Sequence, residues 1–501
     1  LLLVTFMLFA MVNIDSLMRF IIIICFYFIL KIKKELVFKN IYFIFFSALF
    51  VFFITGGFDP IISQLKGYVF REAFVSTNSD LKLHFFTVMQ TIREAGAISF
   101  ETFANRISGH TVTFIVSLIG YIWMSIRFPV MLLALPMLGL GFLAYGIPGI
   151  INGGGLRFTI YAVPVLALGF GYIVYELSLW ISKQFIEGMA RKISKYFFMI
   201  LFTLLGLTPN IQHIIEYKVP TVFVKQEVEV LDRLKNIANR EDYVVAWWDY
   251  GYPLRYYSDV KTLIDGGKHS GSVNFPVSYI LNSSQDKSAI MARLDVEYTE
   301  KRFNSRDNNL SKMASTNIEQ MLKDYSAKSA NDFLNKLNKD LVLPKKTRDI
   351  YLYLPNRMMT ILPTISLFSN INLDNGRKPR EIYFYHSSRF KENGNIIHLG
   401  NNINLIKNAG QLAIGQQKVS INNFVVTQYN NKGKLEKKIQ KVNKNGLLNV
   451  IFMKDYNQFI VLDNNVFNSL YIQLFVLENY DPNLYQPVIL SPLSKIYKLK
   501  I

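Results

Sequence analysis

Up to about residue 210 the chain is written in apolar blocks of Ile, Phe, Leu and Val, and beyond it apolar and polar residues interleave at closer spacing. Seven blocks are candidate membrane spans: Leu1 to Ile14, Leu17 to Leu30, Ile41 to Ile54, Val112 to Ile126, Val130 to Ile147, Phe158 to Ile181 and Tyr196 to Leu207. Several fall short of the roughly 20 residues a helix needs to cross the hydrocarbon core, so their ends must borrow flanking residues. Thr208-Pro209-Asn210 is expected to end the last span, because proline lacks the N–H that continues a helix. Downstream, Glu227 to Arg240 has the spacing of an amphipathic helix and leads into Tyr243-Val244-Val245-Ala246, a short buried strand. Helical composition returns between Ser288 and Leu341. From Arg348 the pattern is that of strands, as in Ile350-Tyr351-Leu352-Tyr353-Leu354, Glu381-Ile382-Tyr383-Phe384-Tyr385 and Leu448-Asn449-Val450-Ile451-Phe452, with Asn-Gly and Lys-Gly turns between. The expected fold is a multi-span α-helical membrane domain over 1–210 with an external loop at 56–110. A mixed α/β extracytoplasmic domain over 211–345 and a mostly β module over 346–501 follow it.

Composition sharpens this picture. With 51% hydrophobic and 18% charged residues in 501, the chain is neither a disordered polymer nor an ordinary soluble domain. Its net charge of +19 does not point to nucleic acid, since the cations beyond 210 are scattered among acids with no arginine-rich helix. Cytoplasmic turns that set topology, and contact with anionic membrane lipid or lipid-linked phosphate, account for the charge instead. Lys31, Lys33, Lys34 and Lys39, then Arg127, then Lys183, Arg191, Lys192 and Lys195 fall on one side if the spans alternate. That side is then cytoplasmic, and Gly56 to His110, Pro148 to Arg157 and everything after the last span lie outside it. Cys25, the single cysteine, rules out an intrachain disulfide and a thiolate metal cage. The opening Leu1-Leu2-Leu3 has neither an initiator methionine nor a basic n-region, and an upstream part is expected.

Each extracytoplasmic segment holds residues that hydropathy does not explain. Trp247-Trp248-Asp249-Tyr250-Gly251-Tyr252 follows the buried strand. Neighbours on a strand face opposite ways, so the two indoles cannot enter one core together. A carboxylate beside an aromatic wall can accept the proton of a Ser or Thr hydroxyl; an aromatic corner whose indoles and Asp249 satisfy one another is the other reading. The remaining two are Thr91-Ile92-Arg93-Glu94 in the external loop and Gly153-Gly154-Gly155-Leu156-Arg157 at a span entrance. Alone, Glu94 would be a solvated carboxylate and Arg157 a snorkelling anchor.

With the run Trp247 to Asp259 and Asp265-Gly266-Gly267-Lys268-His269, the sequence resembles the catalytic subunit of oligosaccharyltransferases, whose signature is Trp-Trp-Asp-Tyr-Gly, in its bacterial single-subunit PglB form. The resemblance implies a membrane glycosyltransferase of the GT-C type that moves a preassembled oligosaccharide from a polyprenyl diphosphate to the amide of Asn in protein acceptors. For the bacterial family the acceptor sequon is Asp/Glu-X-Asn-X-Ser/Thr. It further implies that Trp247, Trp248 and Asp249 hold the +2 hydroxyl of the acceptor. Met358 and Ile361, in Met358-Met359-Thr360-Ile361, match the Met-x-x-Ile motif that packs on the threonine methyl. Glu94 would touch the acceptor amide and a divalent Mn or Mg, and Arg106 would pair with the acidic −2 residue. Arg157, Tyr252 and His269 would face the carrier diphosphate.

The family's metal-holding aspartates lie mostly in early external loops, and their place is expected in the upstream part. Competing expectations are a lipid-dependent transferase acting on hydroxyls, a non-catalytic remnant that binds sequon or carrier, and a transporter with an appended domain. Asp307-Asn308-Asn309-Leu310-Ser311 is itself an extended sequon, which makes Asn309 a candidate glycosylation site. Asn282-Ser283-Ser284 has only the short form, with Ile280 at −2.

Overall fold

The computed structural model describes residues 2–9, 11, 13–59, 74–76, 81–88, 91, 96, 98–147, 151–218, 221–304, 316–338 and 340–501. The chain divides into two compact units, Leu1–Glu72 with Ile92–Val219 and Ala73–Thr91 with Pro220–Ile501. A hairpin of β1 (Phe74–Ser76) and β2 (His84–Phe86), from within the expected external loop, therefore belongs to the second unit.

The first unit is helical. Leu156–Ser182 and Met189–Glu216 are long and apolar enough to cross a membrane, and Phe100–Ser108 with Thr111–Arg127 form a third candidate bent by 70°. The bend falls at Gly109, in the left-handed region at φ 76°, with His110 Nδ1 accepting the N–H of Val112 to restart the helix. Large apolar side chains such as Ile122, Ile126, Ile160, Leu168, Phe197 and Leu204 stay exposed, as they do where lipid is the solvent. The chain is a membrane protein. Ser16–Ile32 and Ile41–Ile54 are apolar helices of 17 and 14 residues. The helices Thr111–Arg127 and Thr159–Ser182 meet through small residues: a Cβ on Gly120 would stand 2.1 Å from Gly169 O, and one on Gly169 2.2 Å from Ser117 O. Where these helices leave the contact, Arg127 Nη1 pairs with Glu176 Oε1 at 3.3 Å.

Two expectations are corrected here. Val130 to Ile147 is not one helix but a 3-10 turn, Pro129–Ala134, a short helix, Leu135–Phe142, and a hairpin of β3 (Gly146–Ile147) and β4 (Ile151–Asn152). Pro129 and Pro136 each start a new helical segment, and Gly146 turns the chain at φ 75°. The last span does not stop at Thr208-Pro209-Asn210 but runs on to Glu216. Proline removes a single N–H, and the Thr208 hydroxyl and Asn210 amide donate to Leu204 O and Gly206 O. Asn210 Nδ2 also donates to Ser108 O, satisfying a carbonyl at the bend.

Beside the β1–β2 hairpin, the described residues of the second unit form two larger sheets. β5 (Tyr243–Val245), β6 (Lys261–Thr262), β7 (Ile350–Pro355), β17 (Tyr485–Leu490) and β18 (Ser494–Leu499) lie in the order β17-β18-β7-β5-β6, with β5 parallel to both neighbours. Val244 and Val245 suit such a strand, buried on both faces. Its entrance is pinned by the Tyr243 hydroxyl donating to Glu300 Oε1 at 2.6 Å, an oxygen that also takes Lys261 Nζ at 2.9 Å. The nine-stranded sheet uses β8 (Phe384–Ser387) through β16 (Gln458–Asp463), centred on the long β13 (Gln417–Tyr429). The expected β module over 346–501 is thus divided: β7, β17 and β18 join the mixed sheet, and the helix Met358–Ser369 packs into the same core. All six residues of β7 are buried, which requires cover on both faces and a place inside a sheet.

Candidate active site

β5 ends at Val245, and the chain passes through an extended Trp247 (φ −66°, ψ 152°) into a 3-10 turn, Trp248–Tyr250, and the helix Gly251–Tyr257. The extended step sends the two indoles apart. Trp247 is 2% exposed and lies edge-on to Phe368, with centroids 5.2 Å apart. Trp248 is half-buried and stacks on the His269 ring at 4.9 Å and 24°. Asp249 is exposed beside it. Burial first, and then the neighbouring Asp249 carboxylate, push the Tyr250 hydroxyl far above its ordinary range, so it stays protonated.

His269 arrives on a loop built by Asp265. One oxygen of that carboxylate accepts the N–H groups of Gly267 and Lys268 at 2.8 and 2.9 Å, and the other accepts Arg255 Nη1 at 2.9 Å. The glycines are there for contact. A Cβ on Gly266 would come within 2.6 Å of the Tyr252 ring, and one on Gly267 within 2.8 Å of its hydroxyl. Gly251 in turn lies on the backbone of Ile264 and Asp265. The Trp-Trp-Asp turn and the Asp-Gly-Gly-Lys-His loop therefore form one surface. Within it Trp248 Nε1 and His269 Nδ1 are enclosed and, among the described residues, have no hydrogen-bond partner. Enclosed ring nitrogens in that state are unmet hydrogen-bonding groups at the heart of this surface.

The helix Met358–Ser369 packs on the same core. Met358 is fully buried, Ile361 partly so and Thr360 exposed. Just before it, Arg357 lies over the Phe223 ring at 4.9 Å and reaches Glu227 Oε1 with Nε at 3.4 Å. Phe223 meets Tyr250 edge-on at 6.3 Å.

The first unit carries two of the expected cations. Arg106 is exposed on the helix Phe100–Ser108, its guanidinium 5.3 Å from the Tyr217 ring centre, while Phe103, Ala104 and Ile107 turn the other face inward. Arg157 is exposed in the 3-10 turn Leu156–Phe158 that opens the helix Thr159–Ser182. Gly155 adopts φ 83° there, and a Cβ on Gly153 would press within 2.5 Å of Ala144 O, so glycines are what let this turn form. Glu94 and Asn309 lie outside the described residues.

Residues 240–375 match the STT3/PglB/AglB core domain, and residues 383–462 match the STT3/PglB C-terminal beta-barrel domain. An undecaprenyl-diphosphooligosaccharide–protein glycotransferase of Campylobacter jejuni strain RM1221 is 43% identical over 462 residues. Residues 240–462 carry the core and C-terminal domains of the STT3/PglB family. The protein of the same description from C. jejuni subsp. jejuni serotype O:2 is also 43% identical, and each alignment covers 91% of this chain and 62% of the relative. The chain thus spans about six tenths of the length of the curated relatives it matches. A crystal structure of the C. jejuni PglB C-terminal domain is 42% identical and covers 55% of this chain and 100% of that one, at a TM-score of 0.49.

The matched core domain contains the Trp-Trp-Asp turn, the Asp265 loop and the Met358 to Ile361 motif, while Arg106 and Arg157 precede it. Sequence reading missed Phe368 beneath Trp247, Arg357 with Glu227, and Arg255 with Asp265. Only the last had a local signal, an Asp two residues before a glycine whose N–H it takes. Among the described residues no group of three or more His, Cys, Asp or Glu is placed to hold a metal ion.

Proposed function

We propose that this chain works as an oligosaccharyltransferase in the bacterial inner membrane. It transfers a preassembled glycan from a polyprenyl diphosphate to Asn in Asp/Glu-X-Asn-X-Ser/Thr, with residues 220–501 on the periplasmic side and as a single-subunit monomer. The observation that carries this reading is the joining of the Trp-Trp-Asp turn to the Asp-Gly-Gly-Lys-His loop through Trp248 on His269. One surface then offers a hydroxyl-binding corner and groups suited to phosphate.

In this reading Asp249 accepts the proton of the +2 hydroxyl and Trp248 Nε1 donates to its oxygen, while Ile361 gives the threonine methyl an apolar seat. Trp247 and Met358, both buried, act by holding these groups in place. Arg106 pairs with the −2 carboxylate, for which a planar guanidinium is suited. Tyr252, His269 and Arg157 meet the diphosphate and steady the charge that grows as the glycosidic bond breaks. The acceptor amide is a poor nucleophile because its lone pair is delocalised, and Glu94 is assigned to activating it. A divalent Mn or Mg belongs to the proposal through Glu94, with the inverting course of the reaction. The described residues supply no cluster for that ion.

The test is transfer from an extracted lipid-linked oligosaccharide to a labelled Asp-X-Asn-X-Thr peptide by the purified protein. Transfer that disappears with Ala at +2, and in Trp248→Ala, is the expected result. Transfer indifferent to the +2 residue refutes the reading, and peptide binding without transfer identifies a binding protein instead.

A further inference from the structure

One residue of the β1–β2 hairpin reaches the supports of both tryptophans. Phe86 is 6% exposed and sets its ring edge-on to Phe368 at 5.2 Å, and Phe368 carries the Trp247 indole at the same separation. The carbonyl of Phe86 meets the first turn of the helix Gly271–Asn282: a Cβ on Gly271 would stand 2.1 Å from that oxygen. A glycine is what lets the strand approach so closely. Two residues before Gly271 is His269, the ring under Trp248. Phe85, its neighbour, faces Phe275 at 6.2 Å instead. The hairpin is tied further by the His84 N–H donating to Leu373 O at 2.8 Å. It is followed by a turn in which Thr91 donates both N–H and hydroxyl to Val88 O, at the first residue of Thr91-Ile92-Arg93-Glu94.

We propose that Phe86 is a positioning residue for acceptor binding. Its ring and its carbonyl clamp the seats of Trp247 and Trp248. The inference rests on the acceptor-binding reading above and adds a role for loop residues that touch no substrate. Close-packed rings hold discrete arrangements, so removing the Phe86 ring frees Phe368 to turn into the space left behind and withdraws the edge under Trp247.

The experiment measures affinity for a fluorescent Asp-X-Asn-X-Thr peptide by anisotropy, with the full chain in detergent micelles and the Ala(+2) peptide as reference. Phe86→Ala and Gly271→Ala should each weaken binding about tenfold, the scale of an aromatic contact of about 1.4 kcal/mol. Phe86→Leu, which keeps most of the volume, should cost about threefold, and Phe85→Ala less than about twofold. Equal losses from Phe85→Ala and Phe86→Ala would mean that the hairpin only adds stability, and would overturn the proposal, as would an unchanged Phe86→Ala. If Phe86→Ala does not fold, Phe86→Leu and Gly271→Ala carry the same comparison. Wild-type chain that fails to distinguish the two peptides defeats the acceptor reading alone. The clamp is then judged by acrylamide quenching of Trp247 in a Trp123→Phe, Trp180→Phe, Trp248→Phe background. Quenching should rise in Phe86→Ala and not in Phe85→Ala, and the reverse refutes the clamp.

Discussion

Gly251→Ala isolates the contact that joins the two halves of the candidate site. Gly251 has φ −60° and ψ −51°, which alanine adopts freely, so backbone conformation gives no reason for glycine. Helix propensity would favour alanine by about 1 kcal/mol. The reason is contact: the added Cβ would lie 2.4 Å from Asp265 Cβ and 2.6 Å from both Asp265 Cα and Ile264 O. None of these atoms can rotate away. The Asp265 loop is also closed on itself by Asp265 N–H to Lys268 O at 3.1 Å and by the bonds from Gly267, Lys268 and Arg255. Relief to ordinary van der Waals distance therefore needs the helix Gly251–Tyr257 and the loop to part by about 1 Å. Overpacking on this scale costs about 1–3 kcal/mol, so a net loss of up to about 2 kcal/mol remains after the propensity gain. Melting should fall by about 2–4 °C for each kcal/mol, read by intrinsic fluorescence in detergent. Acceptor-peptide affinity should fall with it, because Trp248 leaves His269. Gly267→Ala is the matched control: the close neighbour of its Cβ is the Tyr252 hydroxyl at 2.8 Å, the far end of a side chain that can swing, and Asp265 Oδ1 at 3.4 Å is in ordinary contact, so melting should hold. A Gly251→Ala protein that melts and binds peptide like wild type would falsify the account of why this glycine stands in the motif.

Three further outcomes follow from other parts of the chain. Gly169→Val should force Thr159–Ser182 away from Thr111–Arg127 and lower melting in detergent, whereas Gly171→Ala, with nothing within 4 Å, should be neutral or slightly stabilising; equal effects would refute the packing. Lys495 is 1% exposed, and burial lowers its ammonium to about 8 although Glu478 Oε1 stands 2.7 Å away. The unfolded lysine keeps its proton to 10.5, so the penalty is full below about pH 8 and fades as pH rises toward 10.5. Urea titrations should show wild type gaining on Lys495→Met across that window, whatever their offset, and a flat difference would be contrary. Asn309 should carry glycan in cells with an active glycosylation system while Asn282 stays bare. Asn282 is already committed, with Nδ2 on Ser278 O and Oδ1 accepting the Ser366 hydroxyl, and peptide mass spectrometry distinguishes the two.

What could be read from the sequence, and what could not, divides by the range over which each residue acts. The apolar blocks and the strand Tyr243 to Ala246 show in local periodicity, since each such residue reports on its neighbours a few positions away. Trp247 and Trp248 could be assigned opposite faces for the same reason. Pro209 misled because a proline reports the lost N–H but not the Thr208 and Asn210 side chains that serve neighbouring carbonyls. β7 misled because alternation is silent about which strands flank it, and only its parallel pairing with β5 shows that it belongs with the Trp-Trp-Asp strand. Phe86 and Phe368 carry no signal at all. Each is one apolar residue among many, and its meaning lies in rings edge-on across the core. The signature residues that touch a ligand are legible as a motif because their chemistry is in their own side chains. The residues that hold the motif in shape act through contacts between distant segments, and these come into view only when Phe86, Phe368 and Trp247 stand in one line.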